Sequence, residues 1–254
     1  MIHADNLATL NGLRHAFFDR DGGVSEGDFA SLNCGYSSGD DAQLVTENRA
    51  RALRRLDLAP EGLCTARQVH GAEVLVARRA EPGRPRMAAD ALVTDRAGLT
   101  LGVLSADCAP VLLADPAARV IGAAHAGWRG ALSGVIEAAV HGMMQLGARP
   151  ERITAAVGPC IGKSSYEVGP ELYEGFVAED PRSAALFEPV AGSDRLQLDL
   201  KGYALLRLAR SGVDDWIALA DDTFADEERY FSARRTRLSG GGRFGLLLSA
   251  IALA

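Results

Sequence analysis

Short apolar runs, separated by glycine, proline and polar turn residues, recur along most of the chain and predict a protein rich in β-strands. Runs of about four to eight residues with this composition are typical of strands with largely buried faces. The segment 64–79, CTARQVHGAEVLVARR, alternates in polarity and predicts a strand or a hairpin. The other predicted strands are 15–20, 89–95, 99–107, 110–115, 119–125, 153–158, 216–221, 230–235 and 245–253.

Longer segments place apolar residues every three to four positions, which is the spacing of an α-helix with one buried face. Asp40 or Asp41 is a candidate N-cap of the first segment, and Gly212 follows the end of the last. Strands and helices do not alternate regularly, so the pattern predicts an α+β fold rather than a doubly wound parallel sheet. The predicted helices are 42–58, 131–146, 170–180 and 197–212.

The chain has no linker-like tract and no internal repeat. Its one loop-like change in composition, EPGRPRM at 81–87, predicts a surface connection between two strands. We therefore expect residues 1–254 to form a single domain.

Composition and charge narrow the function classes. Hydrophobic residues at 48% and charged residues at 24% are usual for a soluble globular protein. A net charge of -6 argues against nucleic acid as a partner, because nucleic-acid-binding proteins normally carry a basic field. The arginine run formed by Arg234, Arg235 and Arg237 is still suited to a small anion.

The ends of the chain and its cysteines bear on localisation. The first residues, MIHADNLATLNG, lack the pattern of a signal peptide. The longest apolar run, GLLLSAIALA, has about half the roughly 20 residues that a membrane span needs. The 4 cysteines form no C-x-x-C pair, which favours reduced thiols over a disulfide framework. We expect a cytoplasmic protein without a membrane partner.

Three candidate metal-binding residues lie where apolar strands are predicted to end. His70 lies in RQVHGAEV, Cys108 in LSADCAPV and His125 in AAHAGWRG, each beside small residues or proline. Two imidazoles and a thiolate can hold zinc and leave one position open for water or substrate. The residues alone leave other interpretations open, since a lone cysteine after a strand is often a buried hydrophobe. Either histidine is equally compatible with an ordinary structural position.

Other residues near these motifs suit an anionic or aromatic ligand. Trp128 and Arg129 precede the predicted helix 131–146, whose first amides can bind an anion. The segment AVGPCIGKSSYEVGPEL supplies Tyr166, but it lacks the spacing of a P-loop. A packing role for Trp128, a surface position for Arg129 and a plain structural turn remain alternatives.

Taken together, the motifs identify a family. QVHGAEV, ADALVTDRAGLTLGVLSADCAPVLLAD, AAHAGWRGALSGVI and VGPCIGKSSYEVG resemble the bacterial laccase-domain, or purine nucleoside phosphorylase-like, family. Its members are also described as polyphenol oxidases and as a peptidoglycan editing factor. HAFFDRDGGVSEGDFASLNCG, GDDAQLVTENRARALRRL and YFSARR extend the likeness over nearly the whole chain.

The resemblance implies a single α+β domain of layered mixed β-sheets flanked by helices. It also implies that His70, Cys108 and His125 hold a zinc-type metal and form the catalytic centre. The implied activity is phosphorolysis of adenosine, inosine, guanosine and methylthioadenosine, together with adenosine deamination. The corresponding partners are purine nucleosides and phosphate, with Zn²⁺ as the cofactor and copper less favoured.

This chain departs from the family pattern at a few positions. Asp222 stands where many relatives have a cysteine before the threonine, and Ser164 and Ser165 stand where relatives often have cysteine. Cys34 replaces a frequent leucine. None of these positions belongs to the implied metal triad.

Candidate substrate contacts follow from the needs of phosphorolysis. Arg129 is the first candidate for phosphate, with Arg49 and Arg235 as further candidates. Trp128 or Tyr166 is suited to stack on a purine.

Three other functions remain open. A multicopper oxidase needs more imidazoles than the 5 histidines of this chain provide, which disfavours a copper-dependent polyphenol oxidase. Cys108 could instead act as the nucleophile of an amidase that edits peptidoglycan precursors in the cytoplasm. A nucleotide sensor without catalytic activity is the third alternative.

Overall fold

The computed structural model describes residues 1–80, 83, 85 and 87–253. Its strands are β1 (Leu13–Phe17), β2 (Leu63–Cys64), β3 (Val74–Val76), β4 (Ala91–Thr94), β5 (Thr100–Ser105), β6 (Ala109–Asp115), β7 (Val120–Ala126), β8 (Thr154–Val157), β9 (Glu167–Val168), β10 (Phe187–Pro189), β11 (Leu196–Leu198), β12 (Asp215–Ala218) and β13 (Leu247–Leu253). Its α-helices are α1 (Asp5–Ala8), α2 (Ala42–Arg54), α3 (Trp128–Leu132), α4 (Val135–Gln145), α5 (Pro170–Glu179), α6 (Leu200–Arg210) and α7 (Ala233–Leu238).

Two larger mixed sheets contain ten of the thirteen described strands. The six-stranded sheet has the order β12-β8-β6-β7-β4-β3, and the four-stranded sheet has the order β1-β13-β5-β2. Most neighbouring strands are antiparallel, but β12 and β8, β3 and β4, and β2 and β5 run parallel. A small third sheet has the order β10-β11-β9. Mixed sheets of this kind confirm the α+β class.

Alternation along the strands separates two hydrophobic layers. Leu112 of β6 points into a core shared with Leu101 and Ile251 of the four-stranded sheet. Its neighbours Val111 and Leu113 point to the opposite face, as successive side chains of a strand must. The two sheets therefore pack face to face around one core.

Helices cover the outer faces of both sheets. Ala52 and Leu53 of α2 pack with Leu248 and Leu104 on the outer side of the four-stranded sheet. On the other side, α4 and α6 pack against the six-stranded sheet through residues such as Val140. The layered arrangement of mixed sheets flanked by helices is confirmed.

Two predictions about secondary structure are wrong because a side chain inside each segment caps a helix that starts there. Residues 230–235 were expected to form a strand, but Ser232 accepts a hydrogen bond from the Arg235 amide at 3.0 Å and α7 begins there. The predicted single helix 197–212 is a strand followed by a helix. Asp199 caps α6 through the Gly202 amide at 2.7 Å, so the residues before it are free to join β11.

The structure corrects three further predictions about helices and strands. The helix predicted at 131–146 starts earlier and is divided into α3 and α4 at Gly134, whose φ is 89°. The segment 64–79 is not a hairpin, because β2 and β3 belong to different sheets. Asp41 caps α2, which ends at Arg54 rather than at residue 58. The predicted surface connection 81–87 lies largely outside the described residues.

Within the described residues, no helix is both long and apolar enough to cross a membrane. The four cysteines are free thiols, and all but Cys108 are buried.

Candidate metal centre

One edge of the six-stranded sheet gathers the three predicted ligands. Cys108 immediately precedes β6, and His125 lies near the end of β7, which pairs antiparallel with β6. His70 lies in the loop before β3, with the uncommon backbone angle φ 59°. Because β3, β4 and β6 all begin where β7 ends, the register of the sheet brings all three residues to this edge.

The three side chains form a compact set of metal-binding atoms. Their candidate ligand atoms all lie within 4.8 Å of one another, and the two imidazole rings are 4.9 Å apart between centroids. His70 is exposed, Cys108 half-buried and His125 buried, so the cluster opens to one side. In the described part of the chain this is the one cluster of three such residues. Its two imidazoles and one thiolate fit a zinc-type ion with one position left open.

Asp90, a residue that the sequence did not single out, holds two of these ligands in place. Its carboxylate accepts hydrogen bonds from the backbone amides of Val69, His70 and Gly71 at 2.8–3.0 Å. It also accepts a bond from His125 Nδ1 at 2.9 Å. A carboxylate can only accept when ionised, which assigns the proton of His125 to Nδ1 and leaves Nε2 free for a metal.

Burial and charge set the protonation of the ligands. Burial by itself would raise the pKa of the Cys108 thiol, but the charges and hydrogen bonds of His125 and His70 lower that pKa to about 6. Burial would likewise lower the pKa of His125, whereas Cys108 and Asp90 raise it to about 9. Without a metal, the site therefore holds a thiolate beside an imidazolium at neutral pH, and a metal ion held by these residues would displace the proton from His125 Nε2.

Two glycines of AAHAGWRG explain why this motif needs small residues. A Cβ at Gly127 would lie 2.8 Å from His70 Nδ1 and 2.9 Å from Cys108 Sγ, inside the space between the ligands. A Cβ at Gly130 would lie 2.9 Å from the carbonyl oxygen of Gly71. The motif is therefore built so that the start of α3 can approach the ligands closely.

A cavity of about 450 Å³ opens over the triad. Trp128, Arg129 and Tyr166, the first three predicted substrate contacts, all line it. The Arg129 guanidinium lies 4.3 Å from the centroid of the Trp128 ring. Burial raises the pKa of the Tyr166 phenol, so its ring faces the cavity uncharged at neutral pH. The size suits a small organic molecule, for which pockets of about 300–1,000 Å³ are usual.

The other two arginines predicted to contact substrate lie outside this cavity. Arg49 is buried, where it donates to the carbonyl oxygen of Cys34 at 2.7 Å and stacks on Tyr36. Arg235 donates to three backbone carbonyl oxygens, at Thr223, Phe224 and Tyr230. Both guanidinium groups hold loops together, and neither is available to a ligand over the triad.

Asp107, and two of the residues at which this chain departs from the family pattern, form hydrogen bonds within the protein. The buried Asp107 carboxylate accepts hydrogen bonds from Thr223 Oγ1, Ser232 Oγ and the Arg234 amide at 2.6–3.0 Å. Asp222 and Ser165, two positions at which this chain departs from the family pattern, bind each other at 2.6 Å. Neither of those two residues lines the cavity.

We expect Gly127→Ala to weaken metal binding without unfolding the protein. Alanine accepts the native backbone angles of Gly127, φ -71° and ψ 163°, but its methyl group would lie between His70 and Cys108. Zinc affinity, measured by competition with a chelator, should fall about 10- to 100-fold.

The matched control is Gly175→Ala in α5, where the nearest atom to an added Cβ is 3.8 Å away. This variant should bind zinc like the wild type. Unchanged zinc affinity in the Gly127 variant would mean that the metal does not occupy the space between these side chains.

Comparison with known proteins identifies relatives of the whole chain. The sequence profile of the family described as multi-copper polyphenol oxidoreductase laccase matches residues 14–254. A Deinococcus radiodurans protein named purine nucleoside phosphorylase is 43% identical over 100% of this chain and 92% of its own length. An Escherichia coli protein of the same name is 38% identical over 87% of this chain and 88% of its own length.

Solved structures share the fold. A protein from Bacillus licheniformis superposes with a TM-score of 0.90 at 29% identity, covering 97% of this chain and 94% of that one. A Neisseria meningitidis protein gives a TM-score of 0.86 at 33% identity, covering 96% and 95% of the two chains.

Proposed function

This chain belongs to the family described as multi-copper polyphenol oxidoreductase laccase, and we propose that within it the chain acts as a zinc-dependent purine nucleoside phosphorylase. The observation that carries the proposal is the His70–Cys108–His125 cluster at the base of a cavity lined with aromatic rings and arginines. The names of the relatives from Deinococcus radiodurans and Escherichia coli support it.

Phosphorolysis makes specific demands on the residues of the cavity. A phosphate oxygen bonds to C1′ of the ribose while the C1′–N9 bond breaks, and the bonding pair leaves with the purine, which takes up a proton. Trp128 and Tyr166 offer flat apolar surfaces on which the purine can stack. Guanidinium groups offer paired donors for phosphate oxygens, which lets phosphate and ribose meet in a fixed orientation.

The histidines and the thiolate fit zinc better than a set of copper ions. A bound zinc ion supplies Lewis acidity at its open position. Multicopper chemistry needs further imidazoles, and the other three histidines lie elsewhere. His15 accepts a hydrogen bond from the Ala4 amide and contacts His3, while His141 pairs with Gln145 on α4. Only two imidazoles therefore reach the cavity.

The substrates we propose are adenosine, inosine, guanosine and methylthioadenosine. All four present a purine and a ribose-type sugar, which suits a cavity of about 450 Å³ with aromatic walls. We also propose adenosine deamination, in which water replaces the amino group at C6 to give inosine and ammonia.

Product analysis tests these activities separately. Zinc-loaded protein is incubated with adenosine or inosine, with and without phosphate, and the products are separated by chromatography. We expect free purine and ribose-1-phosphate only when phosphate is present, and inosine from adenosine in either condition. If no nucleoside is consumed under any of these conditions, the proposal is wrong.

One observation favours a second candidate, an amidase acting on peptidoglycan precursors. The Cys108 thiol, with its lowered pKa, and the protonated His125 beside it resemble the thiolate–imidazolium pair of a cysteine nucleophile. The two candidates differ in their dependence on metal, because a thiolate nucleophile acts without zinc.

A further inference from the structure

Three arginines from the last part of the chain line the same cavity as the metal ligands. They are Arg234 and Arg237 of α7 and Arg243, which follows it. Asp107 is the one carboxylate in the described lining, and it is already engaged by three donors. A strong local excess of positive charge therefore faces the cavity of a protein whose net charge is -6.

The fold places these arginines beside the metal ligands through specific contacts. Asp107, the residue before Cys108, accepts hydrogen bonds from Ser232 Oγ at 3.0 Å and from the Arg234 amide at 2.6 Å. These bonds fix the first turn of α7 next to the triad. Arg234 and Arg237 are three residues apart on this helix and so lie on the same side of it.

A glycine turn brings the third arginine back to the cavity. The residues 240–242 are glycines with φ between 87° and 140°, a region that other residues rarely adopt. The chain reverses there, and Arg243 lines the same cavity as Arg237. Within the described part of the chain, its guanidinium contacts the Gly39 carbonyl oxygen, at 3.3 Å, and the face of the Phe29 ring.

None of the three arginines forms an ion pair with a described residue. The Arg234 side chain donates to the Glu167 carbonyl oxygen at 3.2 Å, and its Nε is buried without an acceptor. A buried donor without an acceptor is costly, so native structures normally supply one. Arg235, which lies between Arg234 and Arg237 in the sequence, instead donates to three backbone carbonyl oxygens. The cavity-facing arginines therefore retain N–H donors for a ligand, whereas Arg235 spends three of its own on the backbone.

We propose that Arg234, Arg237 and Arg243 form a subsite for a phosphate group. Guanidinium forks bind phosphate oxygens in pairs, and three of them match the several oxygens and the charge of a phosphate dianion. Arg129, the first phosphate candidate from the sequence, lines the same cavity and lies over the Trp128 ring, so we place it at the aromatic wall beside this subsite. The proposal rests on the proposed function for the class of ligand. The phosphate is either the free co-substrate or a group carried by a nucleotide.

Direct binding measurements test the subsite without requiring turnover. Inorganic phosphate is titrated calorimetrically into the zinc-loaded wild type, Arg234→Gln, Arg237→Gln and the Arg237→Gln/Arg243→Gln double variant. Each lost charge-assisted contact should raise the Kd for phosphate about 10-fold or more. Arg14→Gln removes an equal charge from the exposed side of β1, outside the cavity, and should bind like the wild type. Thermal unfolding checks that each variant is folded.

Titration with adenosine and AMP identifies the source of the phosphate. If the subsite serves the free co-substrate, the variants bind adenosine normally and need more phosphate for turnover. If it serves a nucleotide, AMP binds more tightly than adenosine and loses that advantage in the variants. Wild-type phosphate affinity in the arginine variants, or no phosphate binding by the wild type, overturns the subsite. Arginine-dependent phosphate binding without nucleoside cleavage would instead keep the subsite and overturn phosphorolysis.

Discussion

Cys108→Ala is expected to give a folded protein that no longer holds zinc and has lost its activity on nucleosides. The thiolate is one of only three ligand atoms at the site, and the remaining imidazoles of His70 and His125 cannot hold zinc as tightly. We expect one zinc per chain in the wild type and a loss of activity beyond the about 10- to 100-fold seen when only a supporting residue is removed. Metal analysis and the chromatographic assay measure the two effects.

A matched cysteine separates this effect from a general loss of packing. Cys34→Ala removes a thiol that is fully buried between the four-stranded sheet and α2, away from the triad. It should bind zinc like the wild type, even if it is less stable. The amidase alternative predicts a different pattern. A wild-type protein that is active without metal and is inactivated by iodoacetamide would replace the zinc proposal with a cysteine nucleophile.

The fold class could be expected from the sequence because the signals of strands and helices are local, whereas the joint site of His70, Cys108 and His125 was implied by the family resemblance. Each ligand lies where an apolar run meets small residues, and the pattern of apolar runs marks the ends of the strands. The small residues of AAHAGWRG have a steric reason, since a side chain at Gly127 or Gly130 would fill space next to the ligands or the backbone of Gly71. The shared edge itself depends on strand order, which the pattern does not contain.

The arrangement of the arginines around the cavity depends on the helix cap at Ser232, which the sequence analysis did not predict. The sequence pattern predicts a strand at 230–235, and in a strand Arg235 would be as suitable a ligand contact as Arg234. Once Ser232 caps a helix, Arg234 and Arg237 share a side and Arg235 turns to the backbone carbonyl oxygens. The serine followed by helix-forming residues was the signal that could have been used.

Asp90 could not be found from the sequence at all. It lies 20 residues from His70 and 35 from His125, and the pairing of β4 with β3 on one side and with β7 on the other brings these residues together. An aspartate before a strand has many ordinary uses, so its role appears only with the structure.

Asp90→Asn is expected to lower zinc affinity about 10- to 100-fold, the usual effect of losing the partner of a metal-binding histidine. Asparagine keeps the shape of the side chain but replaces one acceptor oxygen by an NH₂ group. Oδ2 accepts from the Val69 and Gly71 amides, and Oδ1 accepts from the His70 amide and His125 Nδ1, so the NH₂ group faces two donors whichever oxygen it replaces. The loop that carries His70 therefore loses its anchor, and His125 Nδ1 loses its anionic acceptor.

Three measurements on this variant separate positioning from simple destabilisation. Competition with a chelator gives the zinc affinity, and the visible spectrum of the cobalt-substituted protein reports the ligand geometry. Amide hydrogen exchange should become faster within the segment Val69 to Gly71, because either the His70 amide or the Val69 and Gly71 amides lose their acceptor. Asp95→Asn is the control, since Asp95 follows the same strand and its ion pairs with described residues, Arg78 and Arg96, are partly exposed. Such pairs contribute at most about 1 kcal/mol, so this variant should retain both zinc affinity and spectrum. If Asp90→Asn also retains them, the ligands are held by the sheet alone, and the carboxylate has no positioning role.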